Sequence, residues 1–241
     1  MTKVEAIAKV MQDNGGTASL SVIYDNICKY YPTAKVSKDW EAGLRGVLYR
    51  EIKNGRTFKK IGLSIYSLAD YQEEKIKFEK DAVRMHSYIE GLCVELGNFN
   101  KYLTYCADPT ALYRDHLSVG DFTTIKKIPD FSYPEIINEA KRIDVVWLNS
   151  KGLIFPQYVF EIVDSIGTLN GAFNRSLQLR NFRTRFFIVA PEKHKDKYEH
   201  TINLEAYIKD KDRFRFVNYD TIRELYEDTE KTTRLNKELF G

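Results

Sequence analysis

The chain is poor in the residues that mark several common chemistries. It has three cysteines in 241 residues, Cys28, Cys93 and Cys106. An odd number at wide spacing, with no CxxC pair, predicts reduced thiols in a cytoplasm and argues against a disulfide framework or a cysteine-rich zinc site. There are four histidines. His116, His194 and His200 have no partner at metal-ligand spacing, and His86, which opens an apolar stretch, reads as a cap or packing residue. No Ser or Cys sits in a nucleophile elbow and no Gly-rich loop is placed to cradle phosphates, so acyl transfer and NTP hydrolysis have no support. No apolar run approaches the ~18 residues of a membrane span. The opening MTKVEAIAKVMQDNGG is amphipathic and carries acids and amides, unlike a secretion signal.

What is present is a globular composition, 43% hydrophobic and 29% charged, which argues against disorder. The net charge is only +3, but it is unevenly spread. Residues 1–70 hold eleven Lys and Arg against seven Asp and Glu, an excess of four that leaves the remainder near neutral. A basic first third is a mild pointer to an acidic partner such as nucleic acid.

Val4, Ile7, Ala8 and Met11 recur at helical spacing, and Asn14-Gly15-Gly16 stops that helix. Leu20, Ile23, Ile27 and Tyr30 mark a second helix, ended by Pro32. Ser37 reads as the N-cap of a third that carries Trp40, Leu44, Val47, Leu48 and Ile52. After the Asn54-Gly55 turn, TFKKIGLSIYSLAD reads as two short strands around Gly62. Three helices and a hairpin form the order of a winged helix–turn–helix. VEAIAKVM, LSVIYDNI, WEAGLRGVLYREI and FKKIGLSIYSLAD together resemble the HARE-HTH family, winged helices attached to DNA-acting enzymes of restriction and epigenetic systems. That resemblance implies a DNA-binding domain over 1–70. Lys35, Lys38, Arg45, Arg50, Lys53, Arg56, Lys59 and Lys60 are its candidate phosphate contacts, with a solvated face as the plainer alternative for each.

Residues 71–84 read as a helical linker, and 85–241 as a second domain. There the helix through MHSYIEGLCVELGNF is followed by an irregular stretch over 107–134. Two apolar strands then meet at the Asn149–Gly152 turn. A helix from Gly167 to about Phe182, a buried-type strand over 185–190, a helix around 195–204, a strand RFRFVNY and a final helix complete the chain. Such alternation predicts an α/β (α+β) fold with helices packed on a mixed sheet.

The hairpin of 143–163 keeps an acid in each apolar run, Asp144 and Glu161. A carboxylate among apolar neighbours is costly unless something charged faces it. Two such acids on neighbouring strands could share a Mg²⁺ ion, which favours oxygen ligands and promotes phosphodiester hydrolysis. A structural pairing, with Arg142 or Lys141 for Asp144 and Arg175 for Glu161, is the alternative. HSYIEGLCVELG, AKRIDVVWL, VFEIVDS, GAFNRSLQL and IVAP, in that order over about residues 85–191, resemble the PD-(D/E)XK nuclease superfamily of restriction-endonuclease-like proteins. Carried over, the resemblance implies that Asp144 and Glu161 hold the metal and that Glu90 is the acid some branches add from the first helix. The departure is Val163, two residues after Glu161, where the pattern has Lys. Either the third role has moved, with Asp164, Gln178, Arg175 and Arg180 as candidates to supply it, or the site is dead. Arg175 and Arg180 also qualify as phosphate contacts.

The function expected from these resemblances is a cytoplasmic, type II-like restriction endonuclease acting on double-stranded DNA with Mg²⁺. A cutter of palindromes needs two active sites, which makes a homodimer one of the arrangements this reading allows. The rival is a nuclease fold with a decayed metal site that binds DNA or senses a modified base. A third class uses the winged helix to hold another protein.

Overall fold

A computed structural model describes residues 1–72, 82–114 and 117–240. Most of the linker expected over 71–84, residues 73–81, lies outside the described residues, as does His116.

The chain opens with helix α1 (Lys3–Asp13), closed at its start by a reciprocal Thr2–Glu5 capping box. Its face of Ala6, Ile7, Val10 and Met11 is buried. Gly15 and Gly16 then adopt positive φ, 69° and 94°, and turn the chain into strand β1 (Thr17–Ser19). Ser19 caps α2 (Leu20–Asn26) through a 3.2 Å bond from the Val22 amide. Helix α3 (Trp40–Lys53) follows. Its N-cap position is Asp39 rather than the expected Ser37, because the Ser37 hydroxyl is engaged in the preceding turn, accepting from the Asp39 amide at 3.4 Å. Strands β2 (Phe58–Lys60) and β3 (Ile65–Leu68) pair antiparallel, and β1 adds to β3, giving the order β1-β3-β2. The three-residue β1 was not foreseen in the sequence; it is too short to show a period. Ile7, Ile23, Leu44, Leu48, Phe58 and Tyr66 meet in one core beneath this sheet.

The remainder is built on helix α4 (Ala82–Phe99) and a five-stranded mixed sheet. Strand β4 (Leu103–Cys106) leads into a two-stranded excursion, β5 (Leu112–Arg114) and β6 (Leu117–Ser118), within the stretch read as irregular. Helix α5 (Pro134–Ala140), strands β7 (Val145–Leu148) and β8 (Pro156–Ile162), helix α6 (Leu169–Leu177) and strand β9 (Arg185–Ala190) follow. The chain ends with α7 (Lys195–Ile202), α8 (Glu205–Ile208), β10 (Phe214–Asn218) and α9 (Tyr219–Phe240). The sheet order is β10-β9-β8-β7-β4. The β4–β7 and β7–β8 pairs are antiparallel, while β8–β9 and β9–β10 are parallel. The helix expected from Gly167 to about Phe182 is shorter, α6 ending at Leu177 in successive turns. The fold is mixed α+β.

Strand alternation sorts the apolar residues onto two faces. Val146, Leu148, Val159, Val163 and Phe186 join Phe173 of α6 and Ile137 of α5. Val145, Phe160, Ile162 and Val189 join Leu92 and Leu96 of α4 and Ile222 and Tyr226 of α9.

The β2–β3 turn does not stand free. The Arg114 guanidinium donates to the Ile61 carbonyl at 2.9 Å, and the Leu63 amide donates to the Tyr226 hydroxyl at 2.9 Å. The Ser64 amide and hydroxyl donate to Glu95 at 2.9 and 3.2 Å. Glu95, 1% exposed, also accepts from Tyr113 at 2.8 Å and Tyr226 at 3.0 Å. A Cβ on Gly62 would stand 2.8 Å from the Tyr226 oxygen, so the turn approaches α9 as closely as a glycine allows. Removing the Tyr226 hydroxyl strands the Leu63 amide and takes from Glu95 Oε1 one of its two donors, leaving Tyr113 as the other. Tyr226→Phe is therefore expected to cost about 1–3 kcal/mol, read as a lowered urea midpoint with an unchanged slope.

Candidate metal and nuclease site

Pairing of Val145 with Phe160 makes Asp144 and Glu161 the next opposed residues, where β7 begins and β8 nears its end. Alternation gives them the face of Val146 and Val159, the side covered by α5 and α6. Their surroundings differ sharply. Glu161 is fully buried and gripped by Arg175 of α6. The Arg175 Nε donates to Glu161 Oε1 at 2.8 Å, and its Nη2 donates to Oε2. Burial pushes the Glu161 carboxyl upward, against the pull of this fork and with the help of the Asp144 charge. Asp144 is half-buried. Its Oδ2 accepts from the Ile162 amide at 2.6 Å, and its backbone carbonyl accepts from Ala107 at 3.1 Å. Burial raises its carboxyl, while His86, the Ile162 amide and Arg175 pull it down.

Helix α4 completes the arrangement. His86 and Glu90 are four residues apart and so share one helix face. Their Nε2 and Oε1 stand 3.5 Å apart, and Glu90 is 3% exposed. Ligand atoms of His86, Glu90 and Asp144 all lie within 4.8 Å of one another, a spacing that suits a single cation. Behind His86 stands Asp164. The His86 Nδ1 meets Asp164 Oδ2 at 2.7 Å, the Tyr219 hydroxyl donates to the other Asp164 oxygen, and His194 Nε2 meets the Asp164 carbonyl at 2.9 Å. Burial pushes Asp164 up, but the His86 and Tyr219 bonds outweigh it and hold it below the ordinary range.

Of the residues singled out in the sequence, Glu90 and Asp144 converge with His86, and Asp164 supports His86 from behind. Glu161 faces Arg175. Val163 is 2% exposed in the core on the α5–α6 face, so no side chain from that position reaches the cluster. Gln178 is exposed and donates to the Asn174 carbonyl of its own helix at 3.2 Å. Arg180 pairs with Asp210 at 2.5 Å. In the N-terminal part, Lys35, Lys38, Arg50, Lys53 and Arg56 are exposed. Arg45 donates to the Tyr24 hydroxyl at 2.9 Å, Lys59 to the Tyr71 carbonyl, and Lys60 is half-buried. His86 was read as a cap or packing residue. Its signal was the i, i+4 spacing to Glu90, which means little until Asp144 is seen beside it.

Two outcomes follow. Arg175→Ala leaves the Glu161 charge buried without its partner and is expected to destabilise the fold by about 3 kcal/mol in urea titration, with Glu161→Gln recovering part of the loss in the double variant. The second concerns His86. Burial disfavours its charge, yet Asp164 and Glu90, with Asp144 beyond, push it up to about 10. In EDTA-treated protein its ring is therefore expected to titrate near pH 10 by NMR rather than near 6.5. Its contribution to stability is then complete below pH about 6.5 and lost as pH climbs through about 10.

Comparison with known proteins adds the lineage. Neither the curated proteins nor the solved structures contain a match to this chain. The family model of the type II restriction enzyme NmeDI C-terminal domain matches residues 67–240, the whole stretch that carries the five-stranded sheet and every residue of the cluster. With well over half its length so matched, the chain belongs to the family of the type II restriction enzyme NmeDI C-terminal domain.

Proposed function

We propose that this protein is a DNA endonuclease of a restriction system, hydrolysing phosphodiesters of double-stranded DNA with a divalent metal. The observation that carries the reading is the convergence of Glu90 and Asp144, on different elements, beside His86 within a restriction-enzyme domain. The donor set suits such an ion: two carboxylates converge where their charges otherwise repel, and the His86 side chain keeps 31% exposure toward solvent. A bound divalent ion supplies an acidified water and charge stabilisation at the phosphorus.

The chain's own residues supply placement. The Ile162 amide fixes the Asp144 carboxylate, and Asp164 fixes the His86 ring. Arg175 holds Glu161 immediately beside Asp144, and its partly exposed guanidinium adds positive charge on the side where a phosphate would approach. We read residues 1–70 as a winged helix–turn–helix that holds the duplex. Three helices with the β1-β3-β2 sheet, and exposed Lys35, Lys38, Arg50, Lys53 and Arg56 on or beside α3, support that reading. Cutting both strands at one site calls for two such centres, which a second copy of the chain would provide.

A second reading has its own observation. The Lys position of the PD-(D/E)XK pattern is a buried valine and Glu161 is neutralised by Arg175, features of a nuclease fold that binds DNA without cutting it. Plasmid and genomic DNA, methylated and unmethylated, incubated with Mg²⁺, Mn²⁺ or Co²⁺ separates the two. Discrete fragments from wild type, abolished by EDTA and reduced by about a hundredfold or more in Asp144→Asn and Glu90→Gln, are the expected result. No cleavage with any ion, together with binding that weakens steeply as salt rises, would establish the binding module instead.

A further inference from the structure

We infer that His86 is itself a metal ligand, and that its nitrogen makes the site select a late first-row divalent ion, of the iron, cobalt or zinc class, over Mg²⁺ and Ca²⁺. The inference rests on the metal-dependent reading for the presence of an ion, and goes beyond it in the identity of the ion and of the third donor.

The geometry is specific about which nitrogen is available. His86 Nδ1 is committed to Asp164 Oδ2 at 2.7 Å. Asp164 cannot drift, because the Tyr219 hydroxyl holds its second oxygen and His194 meets its backbone carbonyl at 2.9 Å. A carboxylate that accepts a hydrogen bond from Nδ1 fixes the ring orientation and turns Nε2 to the opposite side, where a bound ion would displace the Nε2 proton; this is the support that metal-bound imidazoles characteristically have. That opposite side is the Glu90–Asp144 cluster. Nε2 lies 3.5 Å from Glu90 Oε1. Two donors each about 2.1 Å from one ion at a tetrahedral angle stand about 3.4 Å apart, so this separation already matches two ligands of a single ion. Asp144 comes within the same 4.8 Å envelope, steadied by the Ile162 amide.

Glu161 does not compete for the role. Both Glu161 oxygens accept from Arg175, and the carboxylate is fully buried. Among the described residues the cluster therefore offers one imidazole and two carboxylates, with the remaining positions left for water and a phosphate oxygen. Mg²⁺ dehydrates reluctantly and prefers oxygen throughout an octahedron. Imidazole nitrogen raises affinity along the first-row series instead. The residue type at position 86 thus carries a selectivity that the two acids alone would not.

Equilibrium binding of Co²⁺ and of Mg²⁺ to the full chain, by calorimetry without DNA, tests this directly. Wild type is expected to hold Co²⁺ at least about tenfold more tightly than Mg²⁺. His86→Asn can still donate an amide N–H to Asp164 but has no atom at the Nε2 position. It is expected to lose about tenfold or more in Co²⁺ affinity while Mg²⁺ affinity stays within about threefold. Asp164→Asn, which only repositions the ring, should weaken Co²⁺ by about 10–100-fold. Pulsed electron paramagnetic resonance of the Mn²⁺-loaded wild-type protein needs no variant to fold, and should show coupling to one imidazole nitrogen. Bound Mn²⁺ without nitrogen coupling, unchanged Co²⁺ affinity in His86→Asn, or no binding of any of these ions would each overturn the assignment. Nitrogen-coupled metal in a protein that leaves DNA uncut would uphold it while refuting the nuclease reading.

Discussion

A carboxylate with no access to water has to be balanced, and the balancing of Glu161 organises the part of the chain built on the five-stranded sheet. An ionised group enclosed in an apolar sheet costs several kcal/mol unless it is paired and hydrogen-bonded. Arg175 supplies both, and to do so α6 must lie across β8 with its Arg175 edge over the strand end. Phe173, two residues earlier and so about half a turn away, then enters the core against Tyr198, Tyr207 and Phe214. The same pairing spends Glu161 locally. Asp144, opposite it and less enclosed, is left just before the start of β7, within reach of His86 and Glu90 of α4.

The hairpin, the α6 helix and the β9 and β10 strands were legible because their apolar periods are long enough to resolve. The two acids were legible for the opposite reason, as breaks in that pattern. Which acid does which task was not. In the sequence Asp144 and Glu161 look equivalent. Their difference arises from what lies across from each, Arg175 fourteen residues on in one case and a helix more than fifty residues earlier in the other. Val163 illustrates the same limit. Its neighbours fit a catalytic pattern, yet its own period is that of Val159 and the core, and the core is where it lies.

Glu95 makes the point for the polar interior. On α4 it looks like any solvated helix acid, and nothing nearby in sequence asks for it. It is buried because Ser64, Tyr113 and Tyr226 converge on it from three separate segments. Four donors from these three residues offset the desolvation of the carboxylate, and Arg114, stacked over Tyr88, Tyr113 and Tyr226, adds a countercharge nearby. Contacts so distant in sequence carry no local signature. This hub decides that the β2–β3 turn belongs to the inside of the molecule.

That placement bears on how the two parts of the chain can share a ligand. A turn clamped by Glu95, Arg114 and Tyr226 cannot also reach into a groove of DNA, so on the proposed reading a duplex held by residues 1–70 would meet α3 and its flanks, where Lys35, Lys38, Arg50, Lys53 and Arg56 remain exposed. The clamp and the candidate metal site are also built on one element. Glu95 lies five residues beyond Glu90 on α4, while Tyr226 and Tyr219 are both on α9. One pair of helices thus fixes the β2–β3 turn at Glu95 and Tyr226 and fixes the Asp164–His86 support at Tyr219 and His86. A shift of α4 against α9 would disturb both places together. If residues 1–70 hold a duplex as proposed, coupling through these packed helices would make the place where it is held determine where the Glu90–Asp144 cluster meets it.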